Sequence, residues 1–216
     1  GIGAAGIAAW LAFYMLRQEN ENVALLTGLG HVGYAPRPGD PFLMTLSNVM
    51  ASTMLTDSVE VYGVFVGGAS SRCLSILGAA QIDQYGNINT VKIDGAPFIG
   101  LGGAGDAINA CETLVMAKQV RSRFMEKIPY IGCPGEKVKT LVTDLGIFKK
   151  IGDDDAFTFT KYYPADRGQE EHLQKVREKC GWPLKAAREL GTVAPPTADE
   201  VAILRRLDPE RLFLGK

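Results

Sequence analysis

The sequence predicts an α/β protein with an open, mostly parallel sheet and helices on both faces. Apolar runs rich in β-branched residues alternate along the chain with stretches of helical periodicity, as expected when helices connect the strands of a parallel sheet. A hydrophobic content of 46% over 216 residues, with 25 glycines, suits a packed α/β core. We therefore expect one domain over residues 1–216, with a C-terminal helical tail that covers approximately 168–216.

The individual elements follow from local patterns. Helical spacing and start signals predict helices at Ala5–Gln18, at Ser47–Leu55 with Ser47 as the cap, at Gly168–Lys179, and at Ala198–Arg206 after a Thr197-x-x-Glu200 capping box. Apolar runs predict strands at Val23–Thr27, Cys73–Ala80, Ile88–Ile93, Glu112–Ala117, Val138–Asp144 and Phe157–Tyr162. The run Val59–Val66 is apolar throughout, so its periodicity does not decide between helix and strand. In the helix at 168–179 we expect His172 to lie on the surface.

Composition and spacing argue against several classes of partner. A net charge of −1 gives no indication of binding to nucleic acid or to an anionic membrane surface. The four cysteines lack C-x-x-C spacing, which predicts free thiols in a reducing cytoplasm. Two histidines far apart in the sequence, without a carboxylate cluster, predict no metal site. The apolar start, Gly1 to Leu16, is shorter than a membrane span, and we expect a soluble segment whose preceding strand lies outside this sequence.

The first six residues match the dinucleotide-binding pattern G-x-G-x-x-G. That fingerprint requires an acidic residue at the end of the following strand. The predicted strand ends instead in Thr27-Gly28, without a carboxylate. We therefore interpret the glycines as a turn that lets the first helix pack closely, and a nucleotide-binding dehydrogenase remains a distant alternative.

Two glycine-bearing loops predict one half of an active site. An apolar run ends at Gly78 and leads into a polar loop that reaches Asn89, and a second cluster of small residues covers 100–106. Glycines at strand ends let a backbone approach a ligand and direct N–H groups at developing negative charge. A hydrophobic core needs neither the glycines nor the amide side chains.

The same residues carry a resemblance that spans nearly the whole chain. Gly78 to Asn89, with its Gly-Ala-Ala-Gln, Asp, Gly-Asn and Asn positions, resembles a segment of the family I coenzyme A transferases, in particular the β subunit of glutaconate-CoA-transferase-like enzymes. Agreement continues at 102–106, 123–127, 134–135, 142–146 and in the tail. The resemblance implies a coenzyme A-transferase-like fold and an α subunit of the same fold as partner, in a heterodimer or heterotetramer. It also implies an acyl-CoA substrate, with coenzyme A as part of that substrate and no permanently bound cofactor.

The resemblance also assigns roles to individual residues. The acyl and pantetheine end of the pocket is assigned, by match, to Gly78, Ala79, Gln81, Asp83, Gly86, Asn87 and Asn89. The backbone N–H groups that face the thioester oxygen are assigned to Gly102, Gly103, Ala104 and Gly105. For Asp83 and Asn87, turn chemistry within their own loop is a compatible alternative.

The long loop at 28–41 departs from the family pattern. There the family has Glu-x-Gly-x-x-Gly, whose glutamate forms a glutamyl-CoA thioester, and alignment on Gly30 and Gly33 places Gly28 at the glutamate position. Glycine has no side chain with which to attack an acyl-CoA. His31 is a candidate general acid or base, or alternatively a histidine hydrogen-bonded to the backbone. Arg37 is a candidate for holding a carboxylate or phosphate, or alternatively a solvated arginine.

Three functions remain open. The missing carboxylate favours a β subunit that acts on an acyl-CoA without the glutamyl-CoA route, as a hydrolase of carbon–carbon bonds or a decarboxylase. The second is ordinary transfer of coenzyme A between carboxylic acids, with the carboxylate supplied from elsewhere. The third is a non-catalytic subunit that completes the pocket of an active α subunit.

Overall fold

The computed structural model describes residues 2–95, 100, 102–164 and 168–215. The helices are α1 (Ala4–Gln18), α2 (Leu46–Met50), α3 (Ser58–Glu60), a π-helix (Val61–Val66), α4 (Ala104–Ala107), α5 (Gln169–Glu178) and α6 (Ala198–Leu207). The strands of the first half are β1 (Leu25–Leu26), β2 (His31–Tyr34), β3 (Met54–Leu55), β4 (Leu74–Gly78), β5 (Gln81–Ile82) and β6 (Ile88–Asn89). Those of the second half are β7 (Glu112–Met116), β8 (Val138–Val142), β9 (Gly146–Lys150), β10 (Phe157–Tyr162) and β11 (Lys185–Thr192).

Six strands form the main sheet, in the order β11-β10-β9-β8-β7-β4. The pairs β4–β7, β7–β8 and β10–β11 are parallel, whereas β8–β9 and β9–β10 are antiparallel. Helix α1 contacts β4 and β7, and α5 packs against the main core through Leu173 and Val176. The predicted α/β class with a mostly parallel sheet is confirmed.

Aromatic rings fill the core on the main sheet. Phe148 and Phe159 meet edge to face at 4.9 Å, and Phe124 stacks on Trp182 at 5.5 Å. Each ring is at least 96% buried. Burial of a side chain of this size stabilises the fold by roughly 1.5–3 kcal/mol. Phe124 lies inside the charged segment 121–127, which is therefore anchored to the core rather than being only a solvated face.

The N-terminal and C-terminal helices share a second, smaller core. Ile7 and Trp10 of α1 pack with Tyr34 and with Leu207 of α6, and the Trp10 indole N–H donates to the Tyr34 hydroxyl at 3.0 Å. The predicted helix at 5–18 is confirmed, and Gly3, with φ of 70°, forms the turn before it. The Thr197 capping box of α6 is also present, with both reciprocal hydrogen bonds.

Several local predictions are wrong in detail. His172 was expected on the surface, but it is 9% exposed and its Nε2 lies 2.6 Å from the Leu145 carbonyl oxygen. It lies on the same side of α5 as Leu173 and Val176, so the helix buries this edge against the sheet. Helix α2 begins after Thr45, whereas the Ser47 hydroxyl donates to Asp40 at 2.9 Å instead of capping the helix.

Other elements are shorter than predicted or were missed. The strand expected at 23–27 is reduced to β1, and the long loop that follows contains strand β2. The β-rich run at 88–93 is a strand only over β6. Strands β9 and β11 were not predicted, and β11 lies within the segment 168–216 that was expected to be a helical tail. Within the described residues, no helix has the length and apolar character needed to cross a membrane.

Candidate active site

The first part of the candidate site is the tight turn between β1 and β2. The Thr27 N–H donates to the His31 carbonyl oxygen at 2.9 Å, and the Gly30 N–H donates back to Thr27 at 3.1 Å. Gly30 has φ of +95°, and a Cβ there would lie 1.8 Å from the Thr56 carbonyl oxygen. A glycine is therefore required at position 30 by both its backbone conformation and its space. The turn leaves the half-buried Gly28 facing the rest of the site.

The second part is the π-helix, which the preceding residues hold against this turn. Strand β3 pairs with β2, and the Thr56 N–H donates to the Gly30 carbonyl oxygen at 2.9 Å. Asp57 then caps α3 by accepting from the Glu60 N–H at 2.8 Å. The π-helix follows directly and closes with the Gly67 N–H on the Tyr62 carbonyl oxygen at 2.9 Å. π-Helical turns are rare and are frequent at functional sites.

Tyr62 fills the space between the two loops that the sequence assigned to catalysis. A Cβ built on Gly28 would lie 1.8 Å from the Tyr62 hydroxyl oxygen, and a Cβ built on Gly103 would also lie 1.8 Å from it. Real Cβ contacts of this kind do not occur, so both positions tolerate only glycine while the tyrosine stays in place. The structure thus brings together Gly28 and Gly103, which are far apart in the chain, around one phenol hydroxyl.

The Tyr62 hydroxyl is a neutral hydrogen-bond donor at physiological pH. Burial, together with the negative charge of Asp106, raises the pKa of Tyr62 above its ordinary value. Its ring packs beside Val61 and Val66 in a small apolar cluster. Over the part of the chain that the structure describes, the hydroxyl has no hydrogen-bond partner. Sequence reasoning missed this residue, because its only signal is one polar-tipped ring inside an apolar run.

The loop at 102–107 has the local form that the sequence predicted. Gly103 precedes α4, a single turn of helix, and the half-buried Ala104 packs against the main core. Gly102 has φ of +53° and open space where a Cβ would be. The Gly105 carbonyl oxygen accepts from the Asn109 side chain at 3.2 Å. Helix α4 also contacts the π-helix, which fixes this loop relative to Tyr62.

Asp83 and Asn87 shape their own loop. The buried Asp83 carboxylate accepts from the Tyr85 N–H at 2.9 Å and from the Asn87 backbone and side-chain N–H groups at 3.0 and 2.9 Å. The Asn87 side-chain oxygen accepts from the Gly135 N–H at 2.9 Å. Gly86, with φ of +79°, completes the turn. The turn-chemistry alternative therefore describes the contacts of both side chains, and their assigned role at the pantetheine remains a prediction.

Asn89 and Gln81 form a second amide pair at the base of the β5–β6 hairpin. The fully buried Asn89 side chain donates to the Gln81 side-chain oxygen at 2.7 Å and to the Lys92 carbonyl oxygen at 2.8 Å. Its own oxygen accepts from the Val91 and Lys92 N–H groups at 3.0 and 3.2 Å. Asn89 is thus occupied in holding Gln81 and the turn after β6. Gly78, at the exposed end of β4, has open space around it, whereas Ala79 is buried in the main core.

An open groove of about 430 Å³ runs beside Gln81. It is lined by Ala80, Gln81, Ile93, Asp94, Val120, Ser122, Arg123, Met125 and Pro129. The Arg123 Nε is buried and has no hydrogen-bond partner within the described residues. The groove therefore holds an unpaired guanidinium nitrogen beside one of the residues assigned to the pocket.

His31 and Arg37 lie in different surroundings. His31 begins β2, is 9% exposed, and its Nδ1 has no hydrogen-bond partner in the described part of the chain. The alternative of a backbone-bonded ring therefore does not hold for Nδ1, and a role as acid or base stays a prediction. Arg37 is exposed in a loop that Gly39 ties to Arg206 at 2.8 Å. No described contact joins Arg37 to Tyr62 or to the glycine loops.

A buried lysine supports the 83–87 loop from below and was not predicted. The Lys150 amine donates to the Gly135 carbonyl oxygen at 2.9 Å and to Asp155 at 3.1 Å. Desolvation lowers the pKa of Lys150, although Asp155 opposes the shift. All four cysteines are free thiols. Within the described residues, no three side chains of the types His, Cys, Asp or Glu are grouped so that they could hold a metal ion.

Comparison with known proteins identifies the class to which this fold and site belong. Residues 2–155 match the family model described as Coenzyme A transferase, and the chain belongs to that family. It is 31% identical to the β subunit of 3-oxoadipate CoA-transferase from Pseudomonas knackmussii, over 96% of this chain and 85% of that protein. Among solved structures it resembles glutaconate coenzyme A-transferase from Acidaminococcus fermentans, with a TM-score of 0.85 and 22% identity over 100% and 89% of the two chains. It also resembles the decarboxylase AibA/AibB, with a TM-score of 0.79 and 18% identity over 98% and 87%.

Proposed function

We propose that this chain is the β subunit of a two-subunit enzyme that acts on an acyl-CoA thioester, and that no glutamyl-CoA adduct forms on this chain. The family, and the 31% identity to the β subunit of a CoA-transferase, support the first part. An α subunit of the same fold would complete the site. Coenzyme A would enter as part of the substrate.

One observation carries the second part of the proposal. Position 28, aligned with the family glutamate, is a glycine, and the space next to it is occupied by the Tyr62 hydroxyl. No Asp or Glu lies between Asn22 and Arg37, so a shift of the alignment by a few residues does not supply a carboxylate. A group that attacks the thioester carbonyl is therefore absent from this loop.

The remaining groups suit a reaction in which negative charge builds up on the thioester oxygen. Decarboxylation, and hydrolysis of a carbon–carbon bond next to the thioester, both leave an electron pair on the α-carbon that is shared with this oxygen. Hydrogen-bond donors aimed at that oxygen lower the barrier without a covalent intermediate. The base would come from the partner subunit or from His31. The net reaction that we propose is one of these two.

A trapping experiment tests the absence of the adduct. The two-subunit complex is incubated with acetyl-CoA, succinyl-CoA or glutaryl-CoA, treated with borohydride or hydroxylamine, and digested for mass spectrometry. A CoA transferase that retains the glutamate is the positive control. We expect no modified glutamate on this chain, whereas an adduct on any carboxylate of this chain would refute the proposal.

Ordinary transfer of coenzyme A is the second candidate function. The identity to the β subunit of 3-oxoadipate CoA-transferase favours it, with a carboxylate supplied from another part of the complex. Labelled acetate distinguishes the two functions. Exchange of label from acetate into a CoA ester would support transfer, and its absence in a complex that consumes the CoA ester would support hydrolysis or decarboxylation.

A non-catalytic role in completing the pocket is favoured by the bonds of Asp83 and Asn87, which satisfy their own loop. Replacement of Gly103 by alanine separates this role from a catalytic one. Unchanged turnover in an intact complex would favour the non-catalytic role, and lost turnover would favour the proposal above.

A further inference from the structure

We infer that Tyr62 is a catalytic residue of this subunit, whose hydroxyl donates a hydrogen bond to the thioester oxygen of an acyl-CoA bound at the Gly28 and Gly103 loops. The inference rests on the proposed function and adds to it the donor that replaces the missing side chain at position 28. The hydroxyl keeps its proton throughout, so no bond to the tyrosine forms or breaks.

The position of the hydroxyl is fixed from both sides. Its oxygen lies 1.8 Å from the place of a Cβ on Gly28 and 1.8 Å from that on Gly103. The phenol tip therefore touches the backbone of both loops, one of which is aligned with the family nucleophile and the other with the family oxyanion contact. A ligand oxygen that reaches either loop also meets the hydroxyl.

The element that carries Tyr62 is built to hold it there. The π-helix adds one residue per turn relative to an α-helix, so it displaces the side chains that follow. It is anchored at its start by the Asp57 cap and by the contact of Thr56 with Gly30. Val61 and Val66, at its two ends, are both buried. The tyrosine is therefore a preorganised group rather than a loose surface ring.

The hydroxyl is available to a ligand. Among the described residues it has no hydrogen-bond partner, and its environment keeps it protonated at neutral pH. If the ring served only to fill the gap, a phenylalanine would fill it without leaving a polar group unpaired, which costs about 1–3 kcal/mol when the group is buried. The unpaired donor points to an acceptor that arrives with the substrate.

The Tyr62→Phe variant tests the inference, because it keeps the ring and removes only the donor. In the complex with the partner subunit, the acyl-CoA that wild type consumes fastest among acetyl-CoA, succinyl-CoA and glutaryl-CoA is used. We expect kcat to fall about 10²–10³-fold, the loss typical of an oxyanion donor, with KM changed less than about threefold. An unchanged kcat would overturn the inference while leaving the proposed function in place.

A spectroscopic readout makes the test independent of turnover. Acetyl-CoA labelled with ¹³C at the carbonyl is bound to the complex, and the carbonyl resonance is recorded by NMR. We expect a downfield shift on binding to wild type that is lost in Tyr62→Phe, although the variant still binds the ester. The same shift in both proteins would overturn the inference. Absence of binding to wild type would contradict the proposed function itself.

Tyr14→Phe is the matched control variant. Tyr14 lies in α1, its pKa is likewise raised by burial, and its hydroxyl donates to the Pro36 carbonyl oxygen rather than facing either glycine loop. We expect this variant to keep the wild-type kcat and the wild-type ¹³C shift. If Tyr14→Phe reduced kcat as much as Tyr62→Phe, the loss would be general and the inference would be wrong.

Discussion

Gly28 and Gly103 each leave room for the same phenol hydroxyl, and this packing decides what either position can hold. The distance of 1.8 Å from each missing Cβ to the Tyr62 oxygen is about half an ordinary van der Waals contact. Even a methyl group at position 28 requires the tyrosine to move. The loss of the family carboxylate and the presence of Tyr62 are therefore two descriptions of one local arrangement.

Replacement of Gly28 by alanine should destabilise the fold by about 1–3 kcal/mol, because the new methyl group overlaps the Tyr62 hydroxyl. The free energy of unfolding, measured by urea denaturation, reports this loss. Gly63→Ala is the control, since a Cβ at Gly63 has no atom within 4 Å and should change stability by less than about 1 kcal/mol.

A double-mutant cycle identifies the cause of that loss. In a Tyr62→Ala background, Gly28→Ala should cost less than about 0.5 kcal/mol, because the clashing ring is gone. The same cost in both backgrounds would show that Gly28 is constrained by its backbone and not by Tyr62.

Asp83 is expected to matter for stability because its buried carboxylate accepts three hydrogen bonds from one loop. Asp83→Ala should lower the free energy of unfolding by about 1.5–3 kcal/mol, the range for bonds to a charged acceptor. Asp153→Ala, at an exposed position, should change it by less than about 0.5 kcal/mol. Equal effects of the two variants in urea denaturation would contradict this description of the loop.

Among the elements, the segment 42–64 exposes an unusual number of large apolar side chains. Leu46, Met50 and Val59 are 74%, 73% and 80% exposed, and Phe42, Met44, Met54, Leu55 and Val64 are exposed as well. Exposed apolar residues in such numbers are typical of interaction surfaces. Because this segment leads directly into Tyr62 and the relatives are subunits of larger enzymes, we expect the α subunit to cover it.

The variant Met50→Asp tests that expectation. It should raise the dissociation constant of the two-subunit complex about tenfold or more, because it places a charge in an apolar contact, while the isolated chain keeps its thermal stability. Sedimentation of the mixed subunits measures the affinity. Ile151→Asp, at an exposed apolar position outside the segment, is the control, and an equal loss in both variants would argue against this surface.

The elements with clear periodicity could be predicted from the sequence. Helix α1, strand β10 and the Thr197 capping box all lie where their patterns placed them. Strand β11 could not be predicted, because it is a largely exposed edge strand whose sequence is polar. The side of α5 that carries His172 was judged from polarity alone, although tertiary contacts decide it.

The candidate site was only partly predictable for a similar reason. Glycine loops and amide side chains are visible in the sequence, and the resemblance assigned them. The apolar run at 59–66 gave no preference between helix and strand, and a π-helix has no simple sequence signature. The contact of Tyr62 with Gly28 and Gly103 depends on the folding together of three segments, which no single-chain pattern contains.

On the scale of the whole molecule, the two ends of the chain are joined by one buried carboxylate. Asp208, at the end of α6, accepts from the N–H groups of Leu212, Phe213 and Leu214 at 2.8–3.0 Å. Leu207 and Phe213 pack in the same cluster as α1. This carboxylate therefore holds the C-terminal turn against the N-terminal helix.

The pH dependence of unfolding should reflect this group. Although burial alone would raise it, the three N–H donors leave the pKa of Asp208 below its ordinary value. A carboxylate with a lowered pKa in the folded state stabilises the protein above about pH 4, and this contribution is lost as the pH falls through the folded-state pKa. Asp208→Asn should be less stable than wild type in urea at pH 7, and the difference should shrink at about pH 2–3. A difference that does not change with pH would contradict this role.

The central claim is that the thioester oxygen is held by Tyr62 and the Gly103 loop while no carboxylate of this chain attacks the carbonyl carbon. A crystal structure of the two-subunit complex with a non-hydrolysable acyl-CoA analogue tests it directly. We expect the analogue's carbonyl oxygen within hydrogen-bond distance of the Tyr62 hydroxyl, with only Gly28 beside the carbonyl carbon on this subunit. A carbonyl bound away from residues 28, 62 and 103, or one facing a carboxylate of this chain, would contradict the claim.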